Sequence, residues 1–190
     1  IARLETQEAL RFLDDWLARG RHGEMSYMAR HRDLRANPSE WISGALSVVS
    51  VRMDYLPMTI QEAMARLEKG EEAAVSVYAL GRDYHKLMRQ RLQKLATRME
   101  AAVGPFGYRV FSDSAPLFEK SFAKDAGLGW IGKHTNLIDR EAGSLFFLGE
   151  IVTDLPLPVD HPVSAHCGSC TACIRACPTA AIVAPYQLDA

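Results

Sequence analysis

The cysteine run near the carboxyl end is the feature that most constrains this chain. All four cysteines, Cys167, Cys170, Cys173 and Cys177, lie in the pattern C-x2-C-x2-C-x3-C-P, with Pro178 last. This spacing is typical of iron–sulfur ligands: the first three thiolates can surround one [4Fe–4S] cluster, and the fourth characteristically binds a second cluster. Zinc sites use differently spaced ligand pairs, and a disulfide framework is typical of secreted chains. The run therefore predicts electron transfer in a reducing compartment, with zinc as the less favoured alternative.

The pattern also predicts that residues are missing from this sequence. A second cysteine run should supply the other ligands of the two clusters, yet none follows Cys177 before Ala190. The chain also starts at Ile1 rather than at a methionine. We expect a fragment of a longer protein, truncated at both ends; a single-cluster domain that borrows an external ligand is the alternative.

Composition favours a globular protein with no strong electrostatic signature. The chain has 190 residues, of which 48% are hydrophobic, and a net charge of −1. This is enough to bury a core of its own, and the charge gives no general indication of nucleic-acid binding. No apolar run approaches the roughly 18 residues that a membrane helix needs. We expect a protein without membrane spans.

Apolar periodicity predicts an α+β fold in which helices cover a central antiparallel or mixed sheet. The prolines between Leu155 and Pro162 indicate a linker. We therefore divide the chain into a domain at 1–154 and a linker with the first half of a ferredoxin-type module at 155–190. Helices are expected at 5–19, 62–69, 83–103 and 116–126, and strands at 45–53, 73–80, 108–112 and 145–153.

Three further features have both a functional and an ordinary interpretation. The G-x-G-x-x-G pattern from Gly127 to Gly132 follows a predicted helix instead of a strand, which argues against a dinucleotide site. The helix after Arg82 has a cationic outer face that is either a phosphate-binding surface or an ordinary solvated one. Asp113 follows a predicted strand; it is either a helix N-cap, which the pattern favours, or an acid at the mouth of a cleft.

Several segments in order along the chain resemble epoxyqueuosine reductase, a family that acts in queuosine synthesis in tRNA. They are LRANP at 34–38, GRDYHK at 81–86, DSAP at 113–116, AGLGWIGK at 126–133, GSLFFLGE at 143–150, and CGSCTACIRACPTAAI at 167–182. The resemblance implies a cobalamin-binding catalytic domain, similar to the corrinoid domains of reductive dehalogenases, followed by a two-cluster ferredoxin module. It thus implies cobalamin and two [4Fe–4S] clusters as cofactors.

The resemblance also implies roles for individual residues. Asp113 is the candidate proton donor, and the positions that would line the corrin are Arg35, Ser76, Asp113, Leu137 and Leu148. Cys167, Cys170 and Cys173 would bind one cluster and Cys177 the other. The implied reaction converts the epoxide of epoxyqueuosine in a tRNA anticodon to an alkene, with a low-potential electron donor, in a cytoplasmic monomer. The cationic helix from Arg82 to Arg98 becomes a candidate tRNA contact.

Two other functions remain open from the sequence. One is a different corrinoid iron–sulfur reductase that acts on a small molecule such as an organohalide. The other is a plain ferredoxin-type electron carrier with an accessory domain, which predicts no bound cobalamin. Salt-dependent tRNA binding separates the first alternative from the main hypothesis, and a visible spectrum separates the second.

Overall fold

The computed structural model describes residues 1–190 and contains helices on both sides of a central sheet. The α-helices are α1 (Gln7–Ala18), α2 (Ser26–Arg30), α3 (Arg32–Ala36), α4 (Ile60–Leu67), α5 (Tyr84–Val103), α6 (Glu119–Asp125) and α7 (Ala172–Ala176). Short 3-10 turns occupy Pro38–Glu40 and Val77–Ala79. None of the helices is both long enough and apolar enough to cross a membrane.

The strands are β1 (Ala2–Arg3), β2 (Ser47–Asp54), β3 (Tyr108–Phe111), β4 (Trp130–Ile131), β5 (Leu137–Ile138), β6 (Phe146–Thr153), β7 (Ile182–Ala184) and β8 (Gln187–Leu188). Four of them form the central antiparallel sheet, in the order β1-β2-β6-β3. β4 and β5 form one small hairpin, and β7 and β8 form another. The predicted α+β class with a helix-covered sheet is confirmed.

Strand β6 lies in the middle of the sheet because its residues suit burial on both faces. It pairs along its whole length with β2 and, at its carboxyl end, with β3. Side chains alternate between the faces of a strand, so Val152 packs with Phe122 of α6 while Ile151 packs with Leu92 of α5. All four side chains are at most 2% exposed. The site described below is built on this doubly covered strand.

Helix α5 lies close against the sheet because its apolar residues recur at helical spacing. Met88, Leu92 and Ala96 are buried at intervals of four residues. Gly149 of β6 lies beneath them, where a Cβ atom would approach the Met88 Cε to 2.7 Å. The helix ends at Gly104, whose φ of 89° suits glycine. The predicted helix at 83–103 is confirmed.

The strand predicted at 73–80 is wrong. This segment contains only the 3-10 turn Val77–Ala79, and the apolar side chains of Val75, Tyr78 and Leu80 are exposed. An apolar, β-branched run forms a strand only where a sheet edge can pair with it, and the edges of this sheet are formed by β1 and β3. The local preference of this segment for a strand is therefore not realised, because no partner strand pairs with it.

The helix predicted from Pro116 begins three residues later, at Glu119. Phe118 is the residue before its first turn, and Asp113 has a left-handed φ of 61°, so Asp113 does not cap this helix. The capping interpretation of Asp113 is wrong. The segment between β3 and α6 is instead an irregular turn that projects Asp113 away from the sheet.

The carboxyl-terminal segment packs back on the first helix. Residues 155–166 contain no helix or strand, as the prolines indicated. Beyond the cysteine run, the Trp16 Nε1 donates to the Leu188 carbonyl at 2.7 Å, and the Ala190 N–H donates to the Arg21 carbonyl at 2.9 Å. These contacts fix the β7–β8 hairpin beside α1, while the division at residues 154 and 155 stays a prediction.

Candidate active site and cysteine loop

Asp113 has a strained backbone conformation directly after β3. Its φ of 61° lies in the left-handed region, which costs an L-residue about 1–2 kcal/mol. The preceding Ser112 is fully buried, and its hydroxyl donates to the Leu148 carbonyl at 3.1 Å. Ser112 thereby anchors the end of β3, while the side chain of Asp113 stays exposed. Such strain persists only where surrounding contacts hold it, and it is common at functional sites.

The carboxyl of Asp113 is held by two residues at the start of α5. The Tyr84 hydroxyl donates to Asp113 Oδ2 at 2.5 Å, and the His85 Nε2 lies 3.1 Å from the same oxygen. The other ring nitrogen of His85 lies 3.0 Å from Asp83 Oδ1. One imidazole thus lies between two carboxyl groups, and it can donate to both only when both of its nitrogens are protonated. This arrangement can store and move a proton beside Asp113.

Tyr84 is kept as a neutral phenol. Its pKa is raised well above the ordinary value, mainly by burial and next by the hydrogen bond to the Asp113 carboxylate. Its ring stacks on Phe147 with the centroids 3.8 Å apart and an angle of 6° between the planes. A phenol that stays protonated can only donate to a carboxylate partner. Tyr84 therefore orients Asp113 and does not compete with it for a proton.

An aromatic and apolar pocket of about 250 Å³ opens beside Tyr84. Its lining includes Tyr55, Tyr78, Tyr84, Phe147, Leu137 and Leu148. Leu137 belongs to the β4–β5 hairpin and Leu148 to β6, so the pocket lies where the small hairpin meets the sheet. Lys120, at its rim, donates to the Thr135 carbonyl at 2.9 Å. Its aromatic and apolar walls suit one face of a planar ligand, and Tyr84 with its partner Asp113 lies at the edge.

The four cysteines lie in a short loop around α7, and all have free thiols. No three or more His, Cys, Asp or Glu side chains are grouped to hold a metal ion. Cys177 is nevertheless prepared for a thiolate. Hydrogen bonds to its sulfur, chiefly from the Ile182 N–H and next from the Thr179 hydroxyl, lower the pKa of this thiol to about 7. Donors directed at sulfur are typical of cluster ligands.

Lys133 connects the cysteine loop to the pocket. Its ammonium donates to the carbonyl oxygens of Gly168 and Cys170, at 2.7 and 2.8 Å. Its own carbonyl accepts the Tyr186 N–H at 2.9 Å. Lys133 lies between β4 and β5, four residues before Leu137 in the pocket wall. One hairpin therefore separates the cysteine loop from the pocket.

The glycines of the G-x-G-x-x-G pattern have a packing role. A Cβ atom at Gly129 would lie 2.3 Å from the Ile138 carbonyl oxygen, and one at Gly132 would lie 2.4 Å from the Ile138 Cδ1. Gly127 has a left-handed φ of 76° directly after α6. The pattern leaves a helix and enters a strand, opposite to the order of a dinucleotide site. These glycines allow the β4–β5 hairpin to close.

Comparison with known proteins gives the family. The model of the family "Epoxyqueuosine reductase QueG, DUF1730" matches residues 35–114. A relative from Xanthomonas campestris pv. campestris, named epoxyqueuosine reductase, is 60% identical over 190 residues, all of this chain and 54% of its own length. The chain belongs to the epoxyqueuosine reductase family. A second relative with this name, from Pseudomonas aeruginosa, is 56% identical and is covered over 53% of its length. The chain thus spans about half the length of these curated relatives.

Solved epoxyqueuosine reductases share the fold. The enzyme from Streptococcus thermophilus matches 97% of this chain and 48% of its own, with 25% identity and a TM-score of 0.76. A crystal structure of an epoxyqueuosine reductase with an epoxyqueuosine-modified tRNA-Tyr stem loop matches 83% of this chain and 42% of its own, with 27% identity and a TM-score of 0.71. A structure from Bacillus subtilis, with 28% identity, 83% and 41% coverage and a TM-score of 0.68, is described with its catalytic aspartate loop swung out of the active site.

The structure groups some of the residues that the resemblance to epoxyqueuosine reductase indicated. Leu137 and Leu148 line the pocket, and Asp113 is bound to its lining residue Tyr84. Ser76 precedes the 3-10 turn whose Tyr78 lines the pocket. Arg35 is not among the lining residues. Its role in cofactor binding stays a prediction, as do those of the other four.

Arg35 is nevertheless unusual for a structural arginine. It is 7% exposed, and its guanidinium contacts the Met28 sulfur at 3.3 Å and the Met28 carbonyl at 3.4 Å, with no carboxylate partner. Burial lowers its pKa. A buried guanidinium without an acid has unused hydrogen-bonding capacity. This fits a partner outside the chain, such as a polar group on the rim of a corrin.

Two carboxyl groups near Asp113 were missed from the sequence. Glu119 accepts the Asp113 N–H at 2.6 Å, and Glu150 lies fully buried in β6 beside Glu119. Burial is the largest cause that raises the pKa of each carboxyl. The available signal was the single acid in the apolar stretch from Phe146 to Val152. Acids in such strands are rare unless paired, so a single acid there indicates a carboxyl with a partner or a function.

Proposed function

We propose that the full-length protein containing this chain reduces the epoxide of epoxyqueuosine in tRNA to the alkene of queuosine. The observation that carries the proposal is Asp113, held in a strained conformation beside an aromatic pocket in a chain 60% identical to a relative named epoxyqueuosine reductase. The crystal structure of a relative with a modified tRNA stem loop supports tRNA as the partner. An organohalide reductase and a plain ferredoxin have no such support.

The reaction requires two electrons and two protons. Both carbon–oxygen bonds of the epoxide break, a carbon–carbon double bond forms, and the oxygen leaves as water. The chain's own residues must therefore deliver a proton to the departing oxygen, since an alkoxide is a poor leaving group in an apolar pocket. We assign this role to Asp113. Proton transfer by a positioned acid contributes about 10²–10⁴-fold to a rate.

The residues around Asp113 support this role. Tyr84 fixes the direction of the carboxyl, and His85 is 3.1 Å from the oxygen that would be reprotonated. The other ring nitrogen of His85 lies 3.0 Å from Asp83 Oδ1. When both ring nitrogens carry a proton, His85 can supply the next proton after Asp113 has given its own away. The route from Asp83 to Asp113 runs through a single ring.

The pocket that these residues border has the aromatic and apolar walls that one face of a corrin would need. Aromatic and leucine walls suit the flat corrin, with Leu137 and Leu148 as wall residues and Arg35 and Ser76 as candidate contacts for its polar rim. When bound, cobalamin would supply the reducing equivalents to an epoxide carbon. The protein would position the epoxide oxygen near Asp113, exclude water and provide the proton.

Two [4Fe–4S] clusters complete the proposed electron path. Cys167, Cys170 and Cys173 would bind one cluster and Cys177 the other, with the remaining ligands supplied by a further cysteine run. The donors around the Cys177 sulfur support a thiolate there. The hairpin that carries Lys133 would place the clusters next to the pocket. A low-potential donor would reduce them.

The remaining parts of the proposal concern the partner and location. The exposed cationic side chains of α5 include Lys86, Lys94 and Arg98, which suit contact with tRNA phosphates. We also propose a cytoplasmic monomer, in agreement with a tRNA substrate. The test is an anaerobic assay of the full-length protein, reconstituted with iron, sulfide and cobalamin, on an epoxyqueuosine-modified stem loop. Mass spectrometry should show loss of one oxygen atom, and an unchanged substrate would contradict the proposal.

A further inference from the structure

The carboxyl of Glu150 is buried in the centre of the sheet. The residue is 0% exposed and lies on β6 opposite Ser50 of β2 and Phe111 of β3. No N–H or O–H group donates to either of its oxygens, and the neighbouring Ser50 hydroxyl also has no partner. An ionised carboxylate without donors in such a place would be very costly. Glu150 is therefore protonated at neutral pH.

Glu119 is the group that can accept this proton in a hydrogen bond. It is the first residue of α6, its Oε1 accepts the Asp113 N–H at 2.6 Å, and its carboxyl contacts that of Glu150. Two carboxyl groups can form a hydrogen bond only when one of them carries a proton. Burial raises the pKa of Glu150 more than that of Glu119. Glu150 therefore keeps its proton after Glu119 has ionised, which leaves one proton on Glu150 and one negative charge on Glu119.

No salt bridge joins either carboxyl of this pair to a cation. The titratable and charged groups that act on the pair are His85 of α5, Lys120 of α6 and Asp113, and the neighbouring strand β2 carries Arg52. Arg52 forms a salt bridge with Asp139 at 2.9 Å, and Lys120 binds the Thr135 carbonyl at 2.9 Å. Asp113 raises the pKa of Glu119, whereas His85 lowers it. The Glu119 charge is therefore stabilised by hydrogen bonds from the Asp113 N–H and from Glu150, together with the nearby positive charge of Lys120.

These contacts assign a function to the pair. We propose that Glu119 and Glu150 together position Asp113, with the proton on Glu150 keeping Glu119 as the acceptor for the Asp113 N–H. That bond holds the turn after β3 in its left-handed conformation, so that the Asp113 side chain meets Tyr84 and His85. Without the acceptor, the strained backbone can relax and carry the carboxyl out of reach. The inference rests on the proposed role of Asp113 as proton donor.

The first test separates hydrogen bonding from charge with matched variants of the full-length protein. In Glu119→Gln the amide oxygen still accepts from Asp113 and the amide N–H can donate to Glu150, whereas Glu119→Leu removes the acceptor at similar volume. We expect Glu119→Gln to keep turnover within about threefold, and Glu119→Leu to lose about a hundredfold, as misplaced catalytic groups do. Cobalamin binding, measured by the visible spectrum of the cofactor, should be unchanged in both variants. Equal activity of the two variants would overturn the proposal.

The second test observes the proton directly and does not depend on turnover. Infrared difference spectra between the wild type and Glu150→Gln at neutral pH should contain the carbonyl band of one buried carboxylic acid, shifted in D2O. Glu150→Gln can still donate to Glu119, so it should fold and retain Asp113 in place. Absence of the band would overturn the shared proton. Failure of the proposed proton-donor role would give a different result. Asp113→Asn would keep full turnover, while the infrared band of Glu150 would still be present.

Discussion

The hydroxyl of Tyr84 lies 2.5 Å from Oδ2 of Asp113, which makes the first residue of α5 the main partner of the strained turn after β3. The two residues are 29 positions apart in the sequence. The left-handed turn at Asp113 and the amino-terminal end of α5 are both needed to bring them together. The stack of Tyr84 on Phe147 fixes the phenol from the other side.

Replacement of Tyr84 by Phe tests this contact. The stack on Phe147 should be preserved, while the hydrogen bond to Asp113 is lost. We expect kcat to fall about tenfold with KM nearly unchanged, since one hydrogen bond to a charged group contributes about 1.5–3 kcal/mol and His85 still holds the same oxygen. Steady-state kinetics on a modified stem loop measure both constants. A rise in KM with constant kcat would instead indicate substrate binding by the hydroxyl.

Asparagine at position 113 should separate chemistry from stability. Asn tolerates the left-handed conformation as well as Asp does, so the free energy of unfolding should change by less than about 0.5 kcal/mol. The amide cannot donate a proton to an alkoxide, and turnover should fall by about 10²–10⁴-fold. Denaturant unfolding and single-turnover kinetics measure the two effects. A large loss of stability would show that the residue has a structural role.

Stability should depend on pH through Glu150. Burial raises the pKa of this carboxyl well above 4.5, so the folded state keeps a proton that the unfolded state releases. Stability of the wild type therefore falls as pH rises above about 4.5, by up to about 1.4 kcal/mol per pH unit until the folded-state pKa is reached. Glu150→Gln has no such proton. Its stability relative to the wild type should increase with pH in urea unfolding, and a constant difference would contradict a protonated Glu150.

Lys133 should matter for the cysteine loop. Its ammonium binds the carbonyls of Gly168 and Cys170, so Lys133→Met should loosen the loop and make the clusters more labile, whereas Lys133→Arg should largely preserve them. The measurement is the rate at which a chelator removes iron from the reconstituted full-length protein. Lys69→Met is the control, since Lys69 is exposed and pairs only with Glu72. Equal rates in Lys133→Met and in this control would show that Lys133 does not support the loop.

The cationic face of α5 should contribute to the salt dependence of tRNA binding. Lys94 and Arg98 are exposed and form no ion pair with an acid, so each can contact a phosphate. If they do, alanine at either position should reduce the slope of log K against log salt by about one unit. Lys69→Ala controls for the general effect of net charge. An unchanged slope would mean that this face is an ordinary solvated surface.

The elements that follow from local pattern were predictable from the sequence. Helix α5 and strand β6 have the apolar spacing of their class, and the prolines between 155 and 162 indicate an irregular segment. The segment at 73–80 was mispredicted because its apolar residues lack a neighbouring strand. Sequence propensity contains no information about which edge is available.

The candidate site was predictable in its residues and not in its geometry. Asp113, Leu137 and Leu148 were identified through resemblance, whereas the contact of Asp113 with Tyr84 depends on packing between β3 and α5. The pair of Glu119 and Glu150 depends on the register of α6 over the sheet. Such tertiary contacts between distant residues leave only a weak local signal, in this case a single acid within the apolar stretch of β6.

The most direct measurement is a single-turnover reaction of the anaerobically reconstituted full-length protein with an epoxyqueuosine-modified stem loop, carried out in parallel with Asp113→Asn. We predict conversion to queuosine by the wild type, and at least about a hundredfold slower conversion by the variant at equal iron and cobalamin content. Equal rates in the two proteins, or no conversion by a wild type that has all its cofactors, would contradict the account.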